Sequence, residues 1–395
     1  MSHRATLGGS ALGIAVGWNV ANVGAIADGI APDYGVSLAT VGLFTTALFV
    51  VHAGLQIPAG KTVDAVGARR VGFVALAVIA GANALALVAA EPALVLVARA
   101  LAGVGTALGF VAGSDYVRAQ GGSAFAQGLY GGLSLGAGGL ALAVVPQLEG
   151  WLDWRAPFAS AVVAAAAGAA VLAAGPGDVP RRSRSERTAL RAGTTGGGPS
   201  LVRDPRLLRL CVLYMASFGL SVVLGNWVVT LLSRAGGYGP GLAGGIGSLI
   251  LLAGIVSRPL GGWVVRRHPE RIRPVLAASF AASAAGTLLL AAAGPPALSV
   301  VGALVVGLAA GIPFAASFGA AALVRPEAPA AAVAMVNMAA NLVIVAGTPL
   351  VGLSFSLPGD GRIGFAAATV LWLAAVLVVP TVRELDPARR EAAAA

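Results

Sequence analysis

Hydrophobic residues in this chain do not alternate with polar ones. They come in blocks of about twenty, parted by short stretches that hold most of the charge. About twenty apolar residues in a helix span the roughly 30 Å of a bilayer's hydrocarbon core. Such windows fall at 8–31, 38–59, 71–90, 93–115, 123–148 and 156–175, then at 207–232, 241–265, 275–294, 297–320, 331–354 and 364–382. A backbone in lipid must satisfy its own N–H and C=O groups, which a helix does within one segment. The pattern predicts an all-α integral membrane protein with twelve transmembrane helices. The opening MSHR imitates the start of a signal peptide, but the apolar run behind it is too long, so a retained first helix is expected.

Between the sixth and seventh windows lies GPGDVPRRSRSERTALRAGTTGGGPSLVRDPR, too charged to cross a membrane. Its Gly, Pro and Arg content predicts a mobile linker at 176–206. It joins an N-terminal six-helix bundle, 1–175, to a C-terminal one, 207–395. The halves are related. GLQIPAGKTVDAVGARRVGF at 54–73 and VSRPLGGWVVRRHPERIR at 256–273 follow the second window of each half and align with a shift of 202. Gly60 then meets Gly262, Asp64 meets Arg266, Arg69 meets Arg271 and Gln56 meets Arg258. Two pseudo-symmetric bundles with a site between them form a machine for alternating access.

Composition agrees: 57% hydrophobic, 11% charged, mean hydropathy +0.87. The net charge of +10 does not indicate nucleic acid, because the cations lie in loops and no basic stripe carries interleaved aromatics. Lys61, Arg69, Arg70, Arg118, Arg266, Arg267, Arg271, Arg273, Arg325 and the arginines of the linker and tail fall on one side if the spans alternate; Arg155, Arg234 and Arg362 fall on the other. By the positive-inside rule the linker and both termini are cytoplasmic, in a plasma (inner) membrane. A single cysteine, Cys211, excludes an internal disulfide. His3, His52 and His268 are too scattered for a metal site, and no cofactor is expected. No nucleophile–base pair appears, and Gly60-Lys61-Thr62 lacks the upstream glycine of a P-loop, so an enzyme is not expected.

With the motif Gly60-Lys-Thr-Val-Asp64-Ala-Val-Gly67-Ala-Arg69-Arg70, the chain resembles the major facilitator superfamily, whose loop reads G-x-x-x-D-(R/K)-x-G-(R/K)-(R/K). Ala65 and Ala68 replace two of its basic positions. RALAGVG at 99–105 resembles the family's helix 4 arginine motif, and DWRAPF at 153–158 a common lead into helix 6. The resemblance implies a gate on the loop side. Independently of the resemblance, Asp64 would sit against the partially positive N-terminus of helix 11, with Arg69 or Arg70 reaching Asp115, and the Gly60–Asp64–Gly67 spacing, which topology alone does not need, belongs to the same gate. In the second copy Arg266 would be repelled by such a terminus, so that latch is expected to be weak.

Charges inside the spans carry the substrate argument. Arg258 and Arg99 lie within apolar windows, whereas Asp28, Asp64 and Asp115 lie towards span ends. A charge at mid-membrane is costly and usually faces a cavity or a partner. Guanidinium forks suit carboxylates and oxyanions. Arg99 has a second role open to it: the family's helix 4 arginine is thought to bind carbonyls of helix 1. The competing role for Arg258 is snorkelling. Polar stripes follow helical spacing: Thr45, His52 and Gln56 on helix 2; Asn337, Asn341 and Thr348 on helix 11; Asn19 and Asn22 on helix 1; Ser217 and Ser221 on helix 7. Each alone reads as packing glue; together they predict a shared central cavity. His52 titrates near neutrality and could carry a coupling proton.

Phrases like LQIPAG and SRPLGGW resemble the nitrate/nitrite porter branch, which has arginines at both matching places. Here only Arg258 stands, and that branch's Gly-Asn-rich phrase in helix 5 and Gly-rich phrase in helix 11 are missing, so nitrate specificity is not expected. The expectation is a monomeric secondary transporter for a small-molecule anion, either an inorganic (cyanate-like) ion or a monocarboxylate, coupled to protons or exchanging. The alternative is a drug/proton antiporter, whose helix 5 Gly-Pro signature is absent.

Overall fold

The computed structural model describes residues 3–36, 38–179, 203–325 and 328–380, so most of the linker and the tail lie outside the described residues. The described chain is helical, and twelve segments α1–α12 follow the twelve windows. In the first half they are α1 (His3–Ala21), the bent α2 (Leu38–Gly54 and Gln56–Val66), α3 (Ala68–Ala86), α4 (Pro92–Ala119), α5 (Ala124–Leu152) and α6 (Ala156–Ala173). In the second they are α7 (Pro205–Tyr214, a π turn Met215–Gly219, Leu220–Gly236), α8 (Pro240–Leu252 and Gly254–Arg267), α9 (Ile272–Ala292), α10 (Pro296–Gly311 and Pro313–Val324), α11 (Pro329–Leu353) and α12 (Arg362–Leu377). Ten are long and apolar enough to cross a membrane unaided; α2, bent by 52°, makes an eleventh, and α12 is shorter.

Local chemistry sets the ends and breaks. Glu91, Ser123 and Asp204 cap α4, α5 and α7 with side-chain oxygens, satisfying N–H groups that have no partner within the helix. Pro313, at the first position after the break in α10, needs no N–H donor there. The charged stretch after helix 2 is mostly not a loop: α2 continues through Lys61 and Asp64 to Val66, and Gly67, at φ 117, makes the turn. Asp178 then accepts from the N–H groups of Arg69 (2.7 Å) and Arg70 (3.3 Å) at the start of α3.

Two seams join the halves, α5 with α8 and α2 with α11. The first explains the glycines of α5. A Cβ at Gly128 would stand 2.2 Å from the Arg258 carbonyl oxygen, and one at Gly132 2.7 Å from that of Gly254. Gly136 and Gly139 face Ile255 and Leu252 in the same way. Small residues one helical turn apart let two backbones touch, which is how helices associate without a hydrophobic driving force between them. At the second seam a Cβ on Gly60 would lie 2.6 Å from the Ala331 Cα.

Elsewhere buried polar groups tie helices within one half. Arg99 donates to the carbonyls of Asn19 (2.7 Å) and Phe44 (3.3 Å) and to Asn22 Oδ1 (3.4 Å). Asn83 joins Asn19 Oδ1, and Asn22 donates to the Pro157 carbonyl. In the second half, Asp204 pairs with Arg206 and with Arg325 at the end of α10, both at 3.3 Å. Burial alone would raise the Asp204 pKa, but bonds from Arg206 and the field of Arg325 outweigh it and hold the carboxyl below its ordinary value.

Candidate functional site

Between the halves lies a cavity of about 690 Å³. Its walls come from α1, α2, α4, α5, α7, α8 and α11, and its direction follows from which turns of each helix it meets. Gly24 and Ala25 beyond α1, Gln147 on α5, Asn226 on α7 and Gly244 on α8 all lie towards the face opposite the Asp64 turn. His52, Phe110, Arg258 and Asn337 line its inner end. The cavity is therefore open on the side away from the basic loops.

Aromatic rings from both halves close the other side. Phe110 of α4 meets Phe318 of α10 edge-on at 5.9 Å, and Tyr130 of α5 at 5.8 Å. Tyr214, Phe218, Phe314 and Phe318 pack on one another at centroid separations of 4.4–5.9 Å. Below this plug the Asp64 carboxylate accepts from the N–H groups of Ala330 (3.3 Å) and Ala331 (3.2 Å), the first turn of α11. Those donors have no partner within the helix, and the helix dipole favours an anion there.

Arg258 lies on the plug. It is 2% exposed, and its guanidinium covers Phe314 at 4.4 Å and Phe218 at 5.2 Å. Nη1 donates to the Gly131 carbonyl at 2.7 Å, while Nε is buried with no partner among the described residues. The rings hold the cation in place through cation–π attraction without using its hydrogen bonds. Asn337 is equally unspent: both carboxamide atoms are buried and without partners among the described residues. Asn341 instead donates to the Asn337 backbone carbonyl at 2.8 Å. His52 Nδ1 lies 2.9 Å from Thr106 Oγ1, whose hydroxyl donates to the Gly103 carbonyl at 3.2 Å. In the tautomer that donates Nδ1–H to Thr106, Nε2 of the neutral ring is left as an acceptor.

Of the residues singled out in the sequence, Arg258, His52, Asn337 and Asn341 line the cavity, as does Thr45. Arg99, Asn19, Asn22, Gln56 and Ser221 do not. Arg99, Asn19 and Asn22 satisfy one another and neighbouring carbonyls, and Ser221 donates to the Phe218 carbonyl. Gln56 is buried at the bend of α2, with neither carboxamide atom bonded among the described residues. The expected reach of Arg69 or Arg70 to Asp115 is not what the structure has. The Arg69 side chain bonds the Leu172 and Ala173 carbonyls at the C-terminus of α6, where the helix dipole favours a cation, and Asp115 pairs with Arg118 one turn along α4. Arg266 makes no hydrogen bond or ion pair among the described residues; at its seam, close packing of Gly262 on the Ala124 carbonyl does the joining. The sequence reading missed Gln147, Asn226, Ser134 and the aromatic plug. A single polar residue in an apolar run could have pointed to the first three; nothing distinguishes a plug phenylalanine from a lipid-facing one.

Two six-helix halves, a polar cavity on the axis between them and a closed layer beneath it define a membrane transporter. The sequence profile described as Major Facilitator Superfamily matches residues 7–348. The chain belongs to that superfamily and is a secondary transporter, binding a small-molecule substrate within the membrane. No curated protein sequence matches it. Among solved structures, the human organic anion transporter MFSD10 (TETRAN) superposes with TM-score 0.71 at 17% identity, covering 96% of this chain and 100% of that one. The proton:xylose symporter XylE, bound to 6-bromo-6-deoxy-D-glucose, gives 0.74 at 14% identity, with 98% of each chain covered. At such identities the likeness is one of fold.

Proposed function

We propose that this chain is a monomeric transporter that moves a small anionic solute across a plasma membrane by alternating access. The observation that carries the reading is Arg258, the only charged side chain lining the cavity among the described residues. A buried guanidinium whose Nε has no partner among the described residues, with no carboxylate in the cavity lining, favours an anion. By the charge bias of its loops, the Asp64 face is cytoplasmic and the cavity faces outward. The name of the organic anion transporter with the same fold is compatible with this, but the argument rests on the cavity.

A second reading, a drug/proton antiporter, draws on Phe49, Phe110 and Phe218 in the walls. A lipophilic cation there would face Arg258 with no compensating acid, at a large desolvation cost. A thermal-shift screen of purified protein and Arg258→Gln, with small anions, neutral solutes and lipophilic cations at matched ionic strength, separates the two. A ligand stabilises the native state by mass action. The anion reading expects stabilisation by one anion class in the wild type alone. Stabilisation by lipophilic cations in both proteins would install the exporter reading instead.

A further inference from the structure

The same cavity narrows the anion, an inference that rests on Arg258 being the anion's anchor. Four features bear on it. The volume, about 690 Å³, lies within the 300–1,000 Å³ of sites that enclose drug-sized molecules. An inorganic ion would leave most of that space, and most of the apolar wall, in water. Beside polar residues such as Thr45, Ser134, Asn226 and Ser248, the wall has an apolar part made by Phe49, Phe110, Phe218, Val20, Val222 and Leu251, and such surface gains only from an apolar body placed against it. The charge count is one: no second Lys or Arg lines the cavity among the described residues, so a second negative charge would be desolvated without a partner. Finally, Asn337 lines the cavity, and its carboxamide oxygen and nitrogen are both buried and unpartnered among the described residues. A carboxamide can donate and accept at once, and leaving it unmatched is costly.

We infer that the substrate is an organic monoanion: one carboxylate or equivalent oxyanion for Arg258, an apolar body of about the size of a ring for the phenylalanine wall, and a hydroxyl, oxo or amide group for Asn337. An inorganic anion, a short carboxylate and a dianion each leave one of these features unanswered.

Isothermal titration of the purified full chain with a matched set of probes tests this. 3-Phenyllactate carries all three features. 3-Phenylpropionate lacks the hydroxyl, lactate lacks the ring, nitrate lacks both, and phenylsuccinate adds a second charge. The expected result is that 3-phenyllactate binds about ten-fold or more tighter than lactate, nitrate and phenylsuccinate. Its advantage over 3-phenylpropionate should vanish in Asn337→Leu. If that variant does not fold, the wild-type ranking alone decides. Nitrate or lactate binding as tightly as 3-phenyllactate, or phenylsuccinate binding more tightly, would overturn the inference and leave the anion reading standing, provided Arg258→Gln abolishes that binding. Binding of tetraphenylphosphonium with none of the anions would overturn both.

Discussion

At the scale of residues, the buried polar side chains fall into two kinds that sequence alone cannot separate. Arg99 and Arg258 are both buried arginines in apolar helices. Arg99 spends its donors on two carbonyls and Asn22, so it acts as a brace between α1, α2 and α4. Arg258 spends one on Gly131 and rests on two phenyl faces. His52 is the only imidazole lining the cavity among the described residues, and one of its ring nitrogens is engaged with Thr106. As the carrier of a coupling proton, His52 would take it up before the anion loads. Uptake by wild-type protein should then rise as the outside pH falls, because protonation precedes loading. In His52→Gln the dependence should flatten while binding of the anion at fixed pH persists. A pH profile unchanged by the substitution, measured in proteoliposomes, would leave exchange as the coupling mode.

At the scale of elements, the face with the basic loops is closed by a polar and an apolar layer. Asp64 on the α11 terminus supplies the first, and the rings around Phe110 and Phe318 supply the second. Opening towards the basic face must break both, whereas α5 and α8 can rock on their glycine-lined contact. Asp64→Asn keeps an acceptor but loses the charge that the helix dipole favours. That weakens the closed face by about 0.5–1 kcal/mol, a factor of about 2–5 in population. Spin labels on the basic ends of α2 and α11 should report more of the long distance in the variant. An unchanged distribution would mean that the aromatic layer alone sets the balance. The helices, the duplicated halves and the meeting of Asp64 with α11 were all legible in the sequence, because each depends on hydropathy, spacing or a single charge. The cavity lining was legible only in part. A polar stripe must turn away from lipid, but it can turn to a neighbouring helix, as Asn19 and Asn22 do, or to a cavity, as Asn337 does. That choice is made by partners far away in sequence. The same reason undid the expected bridge from Arg69 to Asp115: the carbonyls of α6 and the nearby Arg118 are better placed partners.

At the scale of the whole molecule, the described structure is one state of a two-state cycle, with the cavity open on the face away from the basic loops and sealed on the other. Anion and cation readings of that cavity differ at one atom cluster, the Arg258 guanidinium, which sits where both halves meet. The measurement that tests the account most directly is counterflow of radiolabelled 3-phenyllactate in proteoliposomes, run with wild-type protein and Arg258→Gln at matched reconstitution. Truncating one partner of a buried charge-assisted pair costs about 2 kcal/mol or more. The account therefore predicts saturable counterflow in the wild type and a loss of about thirty-fold or more in the variant, with its unliganded melting temperature retained. Equal counterflow in the two proteins, or saturable flux of a lipophilic cation in place of the anion, would contradict it.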